Sequence, residues 1–77
     1  VSDSVNKPYH YNTGNIECID AIKNSMSLVE FKGYLKGNAI KYLWRYDKKH
    51  QTRQGRAEDL KKAVWYIEKL YEVINNE

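Results

Sequence analysis

The sequence predicts an all-α protein: a compact three-helix domain with a short first helix, two longer antiparallel helices and an aromatic N-terminal arm. Three observations carry that expectation. Apolar residues recur every three or four positions in three separate runs. Ser27 followed by Glu30 forms a capping-box pattern just ahead of the second run. One polar stretch, Asp47 to Gly55, divides the second run from the third. A chain of 77 residues holds a single helical domain, 1–77, with a modest core, which leaves room for help from a partner subunit. Seven Tyr, two Trp and Phe31 supply bulk that aliphatic residues alone would not.

Taken in order, residues 1–14 contain Pro8 and Gly14 and no helical periodicity, so they read as an arm. Its aromatic patch, Pro8-Tyr9-His10-Tyr11, has two readings: a lid over apolar helix surface, or a platform on which a nucleobase stacks. Ile16, Ile19, Ile22 and Met26 mark a first helix over 15–25 with Asn15 as its cap. The second helix starts after Ser27 and continues to Tyr46, weakened by Gly33 and Gly37. After the basic loop 47–55, a third helix runs to Asn75.

At 100° per residue the second helix sorts into three stripes. Leu28, Phe31, Leu35, Ala39, Tyr42 and Tyr46 form its core face, and Tyr34, Asn38, Lys41, Arg45 and Lys48 lie to one side. Opposite the core sit Gly33, Gly37, Ile40 and Trp44, where a solvated helix ought to be polar. On the third helix Leu60, Val64, Ile67, Tyr71 and Ile74 step by four and three along a seam, with Ala63 and Leu70 beside it, and that seam is the expected core face. Trp65 then falls on the wet side with Glu58, Lys69 and Glu72. Two outward tryptophans imply cover, either from the arm or from a second copy. Gly33-x-x-x-Gly37 permits close backbone approach, so a homo-oligomer through Gly33, Gly37, Ile40 and Trp44 is expected.

Composition narrows the function classes. Cys18 is the only cysteine, so no internal disulfide forms; without Cys or His at metal-ligand spacing it reads as a buried small hydrophobe. No apolar run approaches the length of a signal-peptide core or a membrane span, from which a cytoplasmic protein with no membrane partner is expected. A net charge of +3 is modest, but from Lys32 to Lys62 ten Lys/Arg face only Asp47, Glu58 and Asp59, while the rest of the chain is net acidic.

That basic middle points to an anion. Asn38, Lys41 and Arg45 share one helical band, so an amide, an ammonium and a guanidinium can converge on phosphate, Arg45 gripping two oxygens at once. Against this stands a structural role for Arg45, an ion pair with Asp59 or Glu58 across the helix interface; the two are compatible. Glu58 and Asp59 open the third helix, where the macrodipole favours acids, and Asp59 shares a flank with Lys62 and Tyr66 from which it can orient Arg45 or Lys41. There is no P-loop and no dinucleotide fingerprint. Glu17 and Asp20 form one acidic pair without the second that a metal-dependent nucleotide pyrophosphohydrolase needs, and no metal site is expected. His10 and His50 have no triad partners and read as ordinary surface or loop residues.

At these residues the chain resembles a phage-associated family of small helical domains of unknown function. The resemblance covers Tyr9 to Tyr71 and rests on His10-Tyr11, Ile16-Glu17-Cys18-Ile19-Asp20, Phe31 to Asn38, Lys41-Tyr42-Leu43-Trp44-Arg45 and Glu58 to Tyr66. A similar segment occurs in a phage nucleotide kinase that lacks a P-loop, which implies handling of deoxynucleoside monophosphates, with magnesium as cofactor if phosphate is transferred. Carried onto this chain, the resemblance implies a phosphate site of Lys36, Asn38, Lys41, Arg45 and Lys62, with His10, Tyr11, Asp59 and Trp65 stacking on a base or orienting the others. The expected function is nucleotide binding, kinase-like or sequestering, with no catalytic residue assignable. Two alternatives compete: inhibition of a host defence factor through the Trp44 and Trp65 faces, and nucleic-acid binding through Lys41, Arg45, Lys48, Lys49, Arg53 and Arg56. In a phage setting the location is the host cytoplasm.

Overall fold

The structure, a computed structural model, describes residues 17–77, and over them the fold is all-α as expected. Three helices follow one another: α1 (Cys18–Asn24), α2 (Leu28–Lys49) and α3 (Arg53–Asn75). The chain divides into two units, residues 1–31 and 32–77, with the division falling inside α2. His10, Tyr11 and the rest of the expected arm lie outside the described residues.

In the first unit α1 is a two-turn element held by its backbone. The cap falls at Glu17, not Asn15: its carbonyl accepts from the N–H groups of Asp20 and Ala21 at 3.0 and 3.1 Å, with no side-chain cap. Ser25 ends the helix by turning both its N–H and its hydroxyl onto the Ile22 carbonyl. Ile19, Ile22 and Met26 are half-buried, and so is Cys18, which is not the buried hydrophobe expected of it. Next comes the capping box, made reciprocally as the sequence predicts. The Ser27 N–H donates to Glu30 Oε1 at 2.7 Å and the Glu30 N–H to Ser27 Oγ at 3.2 Å, satisfying donors that a helix start otherwise leaves without partners.

The second unit is an antiparallel helical hairpin. Lys32 near one end of α2 pairs with the Glu77 carboxylate just past α3, while Arg45 near the other end pairs with Asp59. On α2 the expected core stripe is correct: Phe31, Leu35 and Ala39 are buried, and Tyr42 and Tyr46 half-buried, with only Leu28 in the first turn exposed.

On α3 the expected seam is wrong. Leu60, Val64, Ile67, Tyr71 and Ile74 are all exposed, and the inward face is the row one residue earlier: Asp59 and Ala63, buried, then Tyr66, Leu70 and Val73, half-buried. That is a rotation of about 100°. Its cause is specific contact overriding hydropathy. Turned this way, α3 delivers Asp59 to Arg45 and stacks Tyr66 on Tyr42 with ring centroids 5.9 Å apart. Trp65 is half-buried and meets Tyr66 edge-on, so it is off the wet side expected of it.

The basic loop is also shorter than expected. Lys48 and Lys49 continue α2, Arg53 to Gly55 begin α3, and only His50 to Thr52 connect them. Polarity alone suggested a loop over 47–55, yet Lys and Arg are good helix formers and cations suit a helix C-terminus. Thr52 caps α3, its hydroxyl accepting from the Gly55 N–H at 3.0 Å. With the helix starting at Arg53, Glu58 and Asp59 fall in the second turn, and α3 has no acid in its first. The macrodipole explanation of these two acids therefore does not hold. Gly55 has a second duty: a Cβ there would lie 2.8–2.9 Å from His50 Nδ1, Cγ and Cβ, so the bare backbone is what admits the imidazole.

Helix propensity alone favours Gly55→Ala by about 1 kcal/mol, but the clash with His50 reverses the sign, giving a net loss of about 1–2 kcal/mol. In a His50→Ala background the same change should stabilise. Thermal unfolding followed by circular dichroism on the four proteins of this cycle checks it, and Gly55→Ala raising Tm in the wild-type background would contradict the packing described.

Candidate functional site

The basic band converges on one aromatic ring. Around Tyr42 stand Lys41 Nζ at 4.6 Å from the ring centroid, Arg45 Cζ at 4.7 Å and Lys62 Nζ at 5.6 Å. Two of the cations come from α2 and one from α3, so the hairpin assembles what neither helix holds alone. The negative face of an aromatic ring attracts cations, which eases the mutual repulsion of the three. Tyr42 is itself held by stacking on Tyr66, at 14° between planes. Tyr34 and Trp65 meet Tyr66 edge-on, at 6.2 and 4.9 Å.

Behind the cations lies a buried acid. Asp59 is 1% exposed and receives two hydrogen bonds from one guanidinium, Arg45 Nε to Oδ2 at 3.0 Å and Nη2 to Oδ1 at 3.4 Å. His50 Nε2 stands 3.1 Å from the same Oδ2 without hydrogen-bond geometry, and remains buried without a hydrogen-bond partner. Burial by itself pushes the Asp59 pKa up. The Arg45 hydrogen bonds and charge, followed by the charges of His50 and Lys62, outweigh burial and hold the carboxyl below its ordinary value. Two of the five Arg45 N–H groups are engaged in this way, which fixes the plane of the guanidinium. The ion-pair reading of Arg45 thus holds, with Asp59 as partner.

The structure brings Lys41, Arg45, Lys62 and Asp59 together. Lys36 is separate: it is exposed, and a position five residues before Lys41 lies about 140° round the helix from it. Asn38 turns back on its own helix, Nδ2 donating to the Tyr34 carbonyl at 2.9 Å. Trp65 flanks the tyrosines with Lys69 Nζ 5.6 Å from its ring. Gly33, Gly37, Ile40 and Trp44 are all exposed, Trp44 carrying Lys48 Nζ 4.6 Å from its ring. Two participants escaped the sequence reading. By periodicity Tyr42 reads as core alone and His50 as an ordinary surface or loop residue; only the true length of the turn places His50 beside Asp59. Among the described residues no three His, Cys, Asp or Glu gather as metal ligands, and no helix is long and apolar enough to cross a membrane.

Fold and site together define a small helical module that displays a cation cluster on an aromatic ring, anchored by a buried carboxylate. The chain belongs to the family described as protein of unknown function (DUF3310), which matches residues 5–68. Similar proteins come from phages, in keeping with the phage-associated family that the motifs resemble. The gene 1.7 protein of Enterobacteria phage T3 is 41% identical over 69 residues, covering 88% of this chain and 42% of that protein. The nucleotide kinase gp1.7 of Escherichia phage T7 is 42% identical over 67 residues, covering 86% of this chain and 34% of its own length. This chain thus spans less than half of either relative. No solved structure matches it.

The depressed Asp59 pKa has a consequence for stability. Because the folded value lies below the unfolded value of about 3.9, the stabilisation is present above that pH and is lost as pH falls through the folded value. Wild-type Tm should therefore drop on acidification below about pH 4, whereas Asp59→Asn should be less stable at pH 7 by about 1–3 kcal/mol and show a flatter acid limb. Melting curves from pH 2 to 7 check both; parallel limbs would remove Asp59 as the titrating group.

Proposed function

We propose that this chain binds a nucleotide by its phosphate, in the space bounded by Lys41, Lys62 and the unengaged N–H groups of Arg45. The observation that carries this reading is the convergence of those three cations on Tyr42 from two helices. Asp59 offsets one of the three charges of Lys41, Arg45 and Lys62 and leaves two, which suits a phosphomonoester carrying about −1.5 to −2 at pH 7. Arg45 supplies a planar fork for two oxygens and the lysines supply mobile point charges. The name of the T7 relative, a nucleotide kinase, supports a nucleotide as the source of the phosphate. Trp65, packed edge-on against Tyr66, is the aromatic side chain beside the cluster from which a base contact is to be made. A kinase must seat donor and acceptor together, commonly with magnesium, and this chain spans 34% of that relative. The function proposed for the chain is accordingly binding, as the phosphate-holding part of a kinase-like protein or as a sequestering one.

Thermal unfolding against nucleoside mono-, di- and triphosphates tests the proposal, since a ligand selective for the native state stabilises it by about 2.7 kcal/mol at a hundred times its Kd. Lys41→Ala and Lys62→Ala should each weaken the response about tenfold, while Lys23→Ala, outside the cluster, should leave it unchanged. If no nucleotide shifts Tm and the chain instead binds single- or double-stranded DNA with steep salt dependence, the cations serve nucleic acid and the proposal fails.

A further inference from the structure

Because α3 turns its Asp59 row inward, its strongest apolar row faces out. Leu60, Val64, Ile67, Tyr71 and Ile74 lie between 37% and 66% exposed, and their spacing of four, three, four, three is that of a coiled-coil seam. Five large apolar residues in one continuous line are more than the scattered exposure usual on a soluble surface. Among the described residues of the second unit the buried apolar side chains are few, Leu35, Ala39 and Ala63. A protein of this build gains much by covering the line.

We propose that the seam pairs with the same seam of a second copy, the two α3 helices running antiparallel. Charge decides both partner and direction. On the seam's outer flank Lys61 and Glu68 are both exposed, one heptad apart and opposite in sign. When Val64 of one copy faces Ile67 of the other, Leu60 faces Tyr71 and Ala57 faces Ile74. Lys61 of each copy then comes within a turn of Glu68 of the other, and the two-fold axis makes this contact twice. A parallel pairing would instead set these charges against the inner flank, Ala63 and Leu70, with no complement. The exposed stripe on α2, Ile40 and Trp44, is a poorer self-partner: Lys36, Lys41 and Lys48 border it against Asp47 alone, so two copies would bring like charges together. Lys62, at the seam's opposite face on α3, stays clear of the pairing, and the cation cluster remains open.

Sedimentation equilibrium of the full chain from micromolar to submillimolar concentration is the test, and a concentration-dependent dimer is expected. Ile67→Asp should abolish it while circular dichroism confirms retained helix, since Ile67 is not part of the core. Lys61→Glu and Glu68→Lys should each weaken self-association about tenfold, the double variant should recover it, and the two single variants, impaired alone, should associate when mixed. A monomer throughout, or a dimer indifferent to both charge reversals, overturns the proposal. Occupation of the seam by residues 1–16 would give the first of these results.

Discussion

The ion pair between Asp59 and Arg45 is the constraint on which the rest of the hairpin depends. A carboxylate at 1% exposure is tolerable only when its charge and lone pairs are answered, because an uncompensated buried charge costs several kcal/mol. Arg45 answers it with two donors, and that requirement dictates the rotation of α3. Once Asp59 must point at α2, Ala63 follows it inward, Tyr66 arrives on Tyr42, and the aliphatic row one residue further on is left outside. The turn obeys the same constraint: three residues between the helices place His50 against Asp59, and Gly55 is bare so that the ring fits.

The pair also explains how cations gather on one surface. Lys41, Arg45 and Lys62 repel one another, and a helix face offers no reason for them to converge. Asp59 offsets one charge, and the Tyr42 ring attracts all three, which stand 4.6–5.6 Å from its centroid. What remains is a surface with more positive charge than its own acids satisfy, held in place by a rigid aromatic stack. The cost of assembling such a surface is met by folding, which is what the anion binding proposed for it would need.

How far the sequence revealed this depends on whether each feature is local. The capping box of Ser27 and Glu30 is written in four consecutive positions and is made as read. The inward stripe of α2 was legible because Phe31, Leu35, Ala39, Tyr42 and Tyr46 recur at unbroken helical spacing, while the outward apolar residues Ile40 and Trp44 are interrupted by Gly33 and Gly37. On α3 two rows compete, one from Asp59 to Val73 and one from Leu60 to Ile74, a single residue apart, and hydropathy prefers the second. Only the partner of Asp59, fourteen residues earlier across the turn, decides for the first, and pairing at that distance has no periodic signature. Likewise Lys41 and Arg45 were visible as one band, while Lys62 entered through resemblance. Tyr42, the ring that unites them, was hidden by being half core and half site.

A consequence of that competition is that the cation cluster and the exposed aliphatic row lie on opposite faces of one helix. Had α3 buried its aliphatic row, as hydropathy favours, the core would be larger, but Asp59 would face solvent and Arg45 would lack its anchor. Lys62 would then turn away from Tyr42. The observed rotation leaves five apolar side chains 37–66% exposed in exchange for an ordered cation cluster. Fully burying one such side chain is worth about 1.5–3 kcal/mol, so the burial left unrealised over the row is large for a protein this small. The pairing proposed for this row would recover that burial and leave the cluster exposed, so that stability and the proposed anion site would be divided between the two sides of α3.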